Sequence, residues 1–323
     1  MMLRLAAAAL ACWSTSALAG GLVFCDRSTD ISAAGQDRML RFSAVVKEEL
    51  ERSGGQVALV ARAGTDLSRF GIRYSHAGIA LRASPNGAWS VRQLYYACEE
   101  GAPRLFDQGL AGFVGGSDDP SIGYLAVLIV PAAEAATLER AALDNRRALA
   151  LLNDRYSANA YAWGLRYQNC NQWVAELLGQ AWGGAEAAGA DADADADAET
   201  IVADAAVDAR GTPAAPRERA QRWLRAHGYA PQRIEVHNPA LLLGAAFVPW
   251  LHRDDHPEAD VARAAYLVSM PDSIEAFVRT AVPGTVRIEF CHAGAQVVVH
   301  RGWQPIADGC VAAPGDTVVR LDD

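Results

Sequence analysis

The sequence predicts an α+β protein, because patterns typical of helices and of antiparallel strands alternate along its 323 residues. Apolar residues recur near helical spacing over residues 32–52, and a Ser-Gly-Gly sequence ends the pattern. Strand-like stretches at residues 74–82 and 89–96 flank a Ser-Pro-Asn-Gly turn and predict a hairpin. A continuous apolar run at residues 122–130 predicts a buried strand.

The remaining elements follow from the same periodicities. Residues 57–61 predict a short strand, and the stretch 132–152, rich in Ala, Leu and Arg, predicts a helix. Asp272 or Ser273 is expected to cap the last helix of the chain. The C-terminal third is predicted to contain two helices, at residues 217–227 and 271–281, and three strands, at residues 286–290, 296–300 and 317–321.

The composition excludes several classes of protein. Hydrophobic residues make up 51% and charged residues 21% of the chain, which is ordinary for a globular protein and excludes wholesale disorder. The formal net charge of −9 argues against a nucleic-acid-binding protein, which needs a basic surface to replace phosphate counterions. No apolar run reaches the ~20 residues that span a bilayer, so no transmembrane segment is expected.

An acidic segment divides the chain. Residues 183–210 hold eight acidic residues against a single arginine, a net charge of −7, and include an alternating Asp-Ala run. The run lacks the glycine turn and the spaced ligands of a calcium loop, so a solvated, self-repelling linker is expected. The sequence therefore predicts a core at residues 20–182, a linker at 183–215 and a C-terminal α+β region at 216–323.

Residues 1–19 have the pattern of a secretory signal peptide. A single arginine supplies the positive charge, an apolar stretch follows, and residues 17–19 form an A-x-A cleavage pattern. Cleavage is expected between Ala19 and Gly20, and it would export the protein, in a bacterium to the periplasm. A lipoprotein anchored at Cys12 ranks second, because the residues ahead of this cysteine depart from a lipidation signature.

Export places the cysteines in an oxidising compartment, where disulfides persist. Five cysteines follow the signal peptide, so an odd one is left over. Cys291 and Cys310 flank a predicted strand and could close a hairpin, while Cys25 and Cys98 could join the N-terminus to an early strand. Cys170 is then free. A different pairing, or five reduced cysteines, is the alternative, because connectivity cannot be deduced from sequence.

Cys170 opens the clearest amphipathic helix of the sequence. Asn169 is a good N-cap, Gln172 falls three residues later as in a capping box, and apolar residues follow on one face. At the first helical position, unpaired backbone N–H groups and the helix dipole favour an anion, so the thiol pKa is expected to fall. A thiolate is nucleophilic, which suits catalysis. A buried, inert cysteine is the alternative.

His76 is the second candidate for chemistry. It stands in the strand-like sequence Tyr-Ser-His-Ala-Gly-Ile-Ala-Leu, where Gly78 permits close approach of a neighbouring backbone. An imidazole beside a cysteine thiol can act as its general base and later as the general acid. A half-buried histidine that only holds a hydrogen bond is the alternative.

Together the two motifs resemble the circularly permuted papain-like hydrolases, relatives of the NlpC-type peptidases that include the lecithin-retinol-acyltransferase-like proteins. A strand with the pattern H-x-G-[IV]-x-L precedes a helix that opens N-C-x-x-[FW]-[AV] by 94 residues, which is the permuted order. This resemblance covers residues 74–182 and implies a core of helices packed on an antiparallel sheet. The C-terminal region adds a helix-plus-strands extension.

A second resemblance covers nearly the whole mature chain except the acidic linker. The stretches FCD, RYSHAGIAL, VRQLYYAC, YQNCNQW and DDHP are similar to an exported bacterial family, domain of unknown function 2145. This resemblance implies no particular reaction.

The permuted enzymes usually carry a polar residue on the strand after the histidine strand, where it orients the imidazole. Residues 89–96 match that strand, and their polar candidates are Arg92 and Gln93. Gln93 can accept a hydrogen bond from an imidazole N–H through its carbonyl oxygen, so it is the preferred third member of the site. Asp107 is the alternative. The absence of a carboxylate or an imidazole at this position also admits a fold that binds without turnover.

The sequence from His252 to His256 could suggest a metal site, because two histidines enclose an Arg-Asp-Asp sequence. A zinc site would need a helix and a third ligand, whereas Pro249 and Pro257 favour a loop. We expect a loop with salt bridges to Arg253, and neither a metal nor a cofactor.

Two functions remain as hypotheses. In the first, the protein is an exported thiol hydrolase or acyltransferase, in which Cys170 attacks an amide, ester or thioester carbonyl and His76 moves the proton. The Cys170 N–H then contributes to an oxyanion hole. Peptidoglycan peptides or acylated envelope components are the expected substrates by location alone. In the second, the same groove binds an envelope ligand without turnover, and the thiol is not activated.

Overall fold

The computed structural model describes residues 32–116, 121–192 and 215–321, with the backbone only for residues 185–192. The described residues do not include the predicted signal peptide, Cys12 or Cys25. They also do not include residues 193–214, which belong to the predicted linker. Within the described ranges, no helix combines the length and the apolar composition needed to cross a bilayer.

The described chain is an α+β structure, as the sequence predicts. Its helices are α1 (Ala33–Arg52), α2 (Leu110–Val114), α3 (Ala132–Leu143), α4 (Asn145–Ala150), α5 (Cys170–Ala192), α6 (Pro216–Ala226), α7 (Pro239–Ala245), α8 (Glu258–Ala262) and α9 (Pro271–Ala281). Its strands are β1 (Val57–Arg62), β2 (His76–Leu81), β3 (Ser90–Ala97), β4 (Ala102–Gln108), β5 (Ile122–Ile129), β6 (Gln232–Glu235), β7 (Ala265–Val268), β8 (Val286–Ala293), β9 (Gln296–Arg301) and β10 (Thr317–Arg320).

Eight of these strands form one antiparallel sheet in the order β10-β9-β8-β5-β1-β2-β3-β4. Strand β5 pairs with β1 on one side and with β8 on the other, so the C-terminal strands continue the sheet of the N-terminal half. In the register of β1 and β2, Arg62 lies opposite His76. Strands β6 and β7 form a separate antiparallel pair.

Both faces of the large sheet are covered by helices. Side chains of a strand alternate between its faces, so Leu59 and Ile79 pack against Trp173 of α5 on one face. Val60 and Ala80 point to the other face and belong to the cluster that α1 and α2 cover. Burial on both faces explains why the strands read as continuous apolar runs.

Three predicted boundaries differ from the structure. The predicted helix over residues 132–152 is two helices, because the Asp144 side chain accepts hydrogen bonds from the N–H groups of Arg146 and Arg147 and begins α4. Helix α9 begins after Met270 with Pro271 in its first turn, so the predicted caps Asp272 and Ser273 are wrong. Helix α5 continues to Ala192, past the expected start of the linker.

The cysteines follow the predicted arrangement as far as they are described. Cys291 and Cys310 form a disulfide with a Cα–Cα distance of 5.6 Å, and Cys170 carries a free thiol. Cys98 is disulfide-bonded. Its predicted partner, Cys25, lies outside the described residues, so this pairing stays a prediction.

A buried carboxylate links the C-terminal strands to the segment that leads into β2. Glu289 on β8 is fully buried and accepts hydrogen bonds from the side chains of Arg73, Tyr74 and Arg287 and from the backbone N–H of Ile306. Arg73 and Tyr74 stand just before His76 in the chain. The position of His76 therefore depends on a residue more than two hundred positions away in sequence.

Replacing Glu289 by Ala is expected to lower the free energy of unfolding by about 3–5 kcal/mol, because the buried Arg287 and Tyr74 lose their acceptor. The control is Asp308→Ala, which removes an almost fully exposed partner of Arg73 and should cost at most about 1 kcal/mol. Urea unfolding monitored by circular dichroism measures both. Equal losses for the two variants would contradict the anchoring role of Glu289.

Candidate functional site

The N-terminus of α5 is formed as the sequence predicts. The Asn169 side chain accepts a hydrogen bond from the backbone N–H of Gln172 at 2.7 Å, so Cys170 occupies the first helical position. The reciprocal half of a capping box does not form, because the Gln172 amide instead donates to backbone carbonyls, among them that of Ala162 at 3.1 Å.

Helix α5 begins directly against the strand that carries His76. The side-chain amide of Asn171 donates to the carbonyl of Ser75 at 3.1 Å. Gly78 lies two residues further along β2, and a Cβ there would come within 3.2 Å of the Arg92 carbonyl and 2.5 Å of the Val91 side chain. The close approach that the glycine was predicted to permit is therefore made by strand β3.

Gln93 on β3 holds the imidazole of His76. Its side-chain oxygen lies within hydrogen-bond distance of His76 Nε2, and its nitrogen donates to the side-chain oxygen of Gln108 at 2.7 Å. Because an amide oxygen only accepts, His76 must carry its proton on Nε2. Nδ1 is then the basic nitrogen, able to receive a proton.

Asp107, the alternative third member, is engaged elsewhere. Its two carboxylate oxygens accept hydrogen bonds from Arg92, both at 2.6 Å. Arg92 also donates to the side chain of Asn145 at 2.9 Å. The Arg92–Asp107 pair therefore joins β3 and β4 to α4. Of the two candidates Gln93 and Asp107, it is Gln93 that contacts His76.

Cys170 and His76 line one cavity of about 690 Å³. The Tyr156 hydroxyl and the backbone N–H groups of Cys170 and Asn171 lie near enough to the Cys170 sulfur to favour its thiolate. Arg62 on β1 lines the same cavity, with its guanidinium carbon 5.6 Å from the centre of the Phe113 ring. Donors therefore converge on the sulfur from the helix terminus and from a tyrosine.

Burial decides the protonation of the two groups. It raises the pKa of the Cys170 thiol to about 11, although the backbone N–H groups, the Arg62 charge and Tyr156 act in the opposite direction. Burial together with the Arg62 charge lowers the pKa of His76 to about 3, although the hydrogen bond that His76 donates to Gln93 acts in the opposite direction. The predicted fall of the thiol pKa is thus wrong. In its resting form the cavity holds a neutral thiol and a neutral imidazole.

Two residues of the site have no clear signal in the sequence. Tyr156 lies in the irregular segment between α4 and α5 and stacks on Tyr96, with ring centres 5.0 Å apart. Arg62 shows a weak signal, since it is a charged residue at the end of an apolar strand, yet it is buried. Only the tertiary fold brings both to Cys170.

The sequence around His252 and His256 forms a loop, as expected. The His256 ring bonds to the carbonyl of Asn159 at 2.7 Å, and Asp255 accepts from the N–H of Tyr161 at 2.8 Å. The ion pair of Asp254 is with Arg166 at 2.7 Å rather than with Arg253. Among the described residues no group of His, Cys, Asp or Glu is arranged to hold a metal ion. The loop supports the segment that carries Tyr156.

The fold and site define an α+β protein with a cysteine and a histidine in one cavity. The chain belongs to the family described as "Uncharacterized protein conserved in bacteria (DUF2145)", whose model matches residues 49–278. This confirms the family of the second predicted resemblance but not its extent, because the match ends at residue 278 and its span includes the acidic segment. No curated protein and no solved structure matches the chain.

The low pKa of His76 predicts an acid-dependent loss of stability. Between its ordinary pKa of 6.5 and about 3, the unfolded chain binds a proton at this residue that the folded chain does not. Above pH 6.5 the titration of His76 therefore does not lower the free energy of unfolding. As the pH falls from 6.5 toward 3, that free energy decreases by up to about 1.4 kcal/mol per pH unit.

Chemical unfolding at a series of pH values checks this. His76→Asn should flatten the acid slope, whereas the control His237→Asn, at an exposed position, should leave it unchanged. The same slope in wild type and His76→Asn would show that the imidazole titrates normally in the fold.

Proposed function

We propose that the protein is an exported thiol-dependent hydrolase or acyltransferase with a permuted papain-like arrangement. Cys170 is the nucleophile, His76 the general base and acid, and Gln93 the residue that orients the imidazole. The observation that carries this proposal is the hydrogen-bonded series Gln108–Gln93–His76, which leaves Nδ1 as the basic nitrogen in the cavity that Cys170 also lines.

The reaction begins when a substrate carbonyl enters the cavity. His76 Nδ1 takes the thiol proton as the sulfur of Cys170 forms a bond to the carbonyl carbon, whose π electrons move to the oxygen. The backbone N–H of Cys170 and the Tyr156 hydroxyl, which act on the charge of the sulfur, are the donors that would stabilise that oxyanion. The imidazolium then protonates the leaving alcohol, thiol or amine, and an acyl-cysteine remains.

The second half of the reaction returns the enzyme to its resting form. Water, or an acceptor alcohol or amine, loses a proton to His76 and attacks the acyl-cysteine. Collapse of the tetrahedral intermediate expels the sulfur, which recovers its proton from the imidazolium. Water as acceptor makes the protein a hydrolase, and an envelope alcohol or amine makes it an acyltransferase.

The neutral resting pair sets a condition on this mechanism. Since Cys170 is a thiol rather than a thiolate at rest, its proton must move to His76 as the sulfur attacks a bound carbonyl. Small soluble electrophiles should therefore react slowly. If substrate-like electrophiles react with Cys170 no faster than small soluble ones do, the high thiol pKa favours the alternative function, a non-catalytic envelope binding protein.

Labelling with an acyl chloromethyl ketone tests the nucleophile. Mass spectrometry should locate the adduct on Cys170, and His76→Ala should slow its formation by about 10²-fold, because the general base is lost. His237→Ala serves as the control and should react like the wild type. A thiol in the folded protein that stays unmodified would favour the binding protein.

Substitutions of Gln93 test the orienting role. Gln93→Leu should slow acylation of Cys170 by about 10²-fold, since the imidazole is no longer held in one tautomer and orientation. Gln93→Glu restores an acceptor, so it should recover much of the rate, with a pH profile displaced upward by the carboxylate. Equal rates and equal pH profiles for the two variants would reduce Gln93 to a packing residue.

A further inference from the structure

We infer that the cavity at Cys170 accepts a long aliphatic acyl chain, so that the substrate is a fatty-acyl ester, thioester or amide. This inference rests on the proposed function and adds the class of substrate to it. It comes from the lining of the cavity, from the continuity of one apolar wall, and from where the charges lie.

The lining of the cavity is mostly aliphatic and aromatic. Its volume of about 690 Å³ is in the upper half of the range for pockets that enclose a whole small-molecule ligand, and far exceeds one amino-acid side chain. The apolar lining residues that matter here are Phe70, Leu94, Leu242, Val248, Val268 and Met270.

One apolar wall runs from the nucleophile to the far side of the cavity. Met270 belongs to a hydrophobic cluster with Val268, Phe70 and Leu242 of α7. Its sulfur lies 3.9 Å from the side-chain nitrogen of Asn171, the residue after Cys170. An apolar chain whose carbonyl reaches Cys170 can therefore stay in contact with apolar side chains up to α7.

Most of the charged residues that line the cavity are exposed to solvent. Asp66, Arg69 and Arg253 are exposed, and among the described lining residues only Arg62 is both charged and buried. A peptidoglycan peptide carries several charges, which would need buried partners. An aliphatic chain needs none, and it gains about 0.8 kcal/mol for each methylene group that leaves water.

The segment at α7 offers a matched pair of positions. Leu242 is half-buried and lines the cavity, whereas Leu243, the next residue, is 68% exposed and does not line it. The same substitution at the two positions therefore separates an effect on the cavity from a general effect on the helix.

Acylation of Cys170 by p-nitrophenyl esters of increasing chain length tests the inference. The rate of p-nitrophenolate release should rise at least about tenfold from acetyl to dodecanoyl, since each buried methylene can add up to about fourfold. Leu242→Gln should reduce the ratio of the dodecanoyl rate to the acetyl rate at least about tenfold. Leu243→Gln should change neither.

Binding of dodecanoate to the Cys170→Ser protein, followed by calorimetry, separates this inference from the proposed function. Binding that weakens about tenfold in Leu242→Gln but not in Leu243→Gln supports the chain site even if no ester is turned over, in which case only the proposed function fails. Ala245→Phe narrows the cavity and should also weaken the binding of dodecanoate. This second variant keeps the test decisive if Leu242→Gln does not fold. Equal rates for all chain lengths together with no binding of dodecanoate overturn the inference.

Discussion

The burial of the N-terminus of α5 is the constraint on which the site depends. The first backbone N–H groups of a helix have no intrahelical acceptors, and at this buried terminus the Asn169 side chain accepts a hydrogen bond from the N–H of Gln172. Asn169, Asn171 and Gln172 are all buried, and their amides donate to carbonyls of Ser75, Ala158 and other residues of the surrounding backbone. The polar residues around Cys170 thus hold irregular backbone in place and, through it, the thiol.

The same burial sets the electrostatics of the site. A helix terminus stabilises a thiolate by roughly 1 kcal/mol or less at an exposed position, whereas full desolvation shifts a pKa by several units. At Cys170 desolvation outweighs the helix terminus and raises the thiol pKa. At His76 the charge of the buried Arg62 adds to desolvation and makes the imidazolium still less favourable. The resting site therefore keeps its proton on sulfur.

The sequence predicted those features that are local. Periodicity located α1, β1, β2, β3 and β5, and a single N-cap placed Cys170 at the start of a helix. The site residues supplied by irregular segments could not be found, since Tyr156 has no distinguishing neighbours in sequence. The sign of the thiol pKa shift was wrong because the helix dipole is a local property, while the burial that outweighs it comes from the tertiary fold.

The division between the site and its support follows the family match. The cavity-lining residues in the described part of the chain lie between Arg62 and Met270, within the matched residues 49–278. Strands β8 to β10 and the Cys291–Cys310 disulfide lie beyond that span, yet Glu289 on β8 fixes the segment that leads into His76. None of the described cavity-lining residues lies on these strands, so they support the site from outside the cavity. These strands are joined to the rest of the sheet through the β5–β8 pairing, and the buried Glu289 with its donors adds a direct link to the segment before His76.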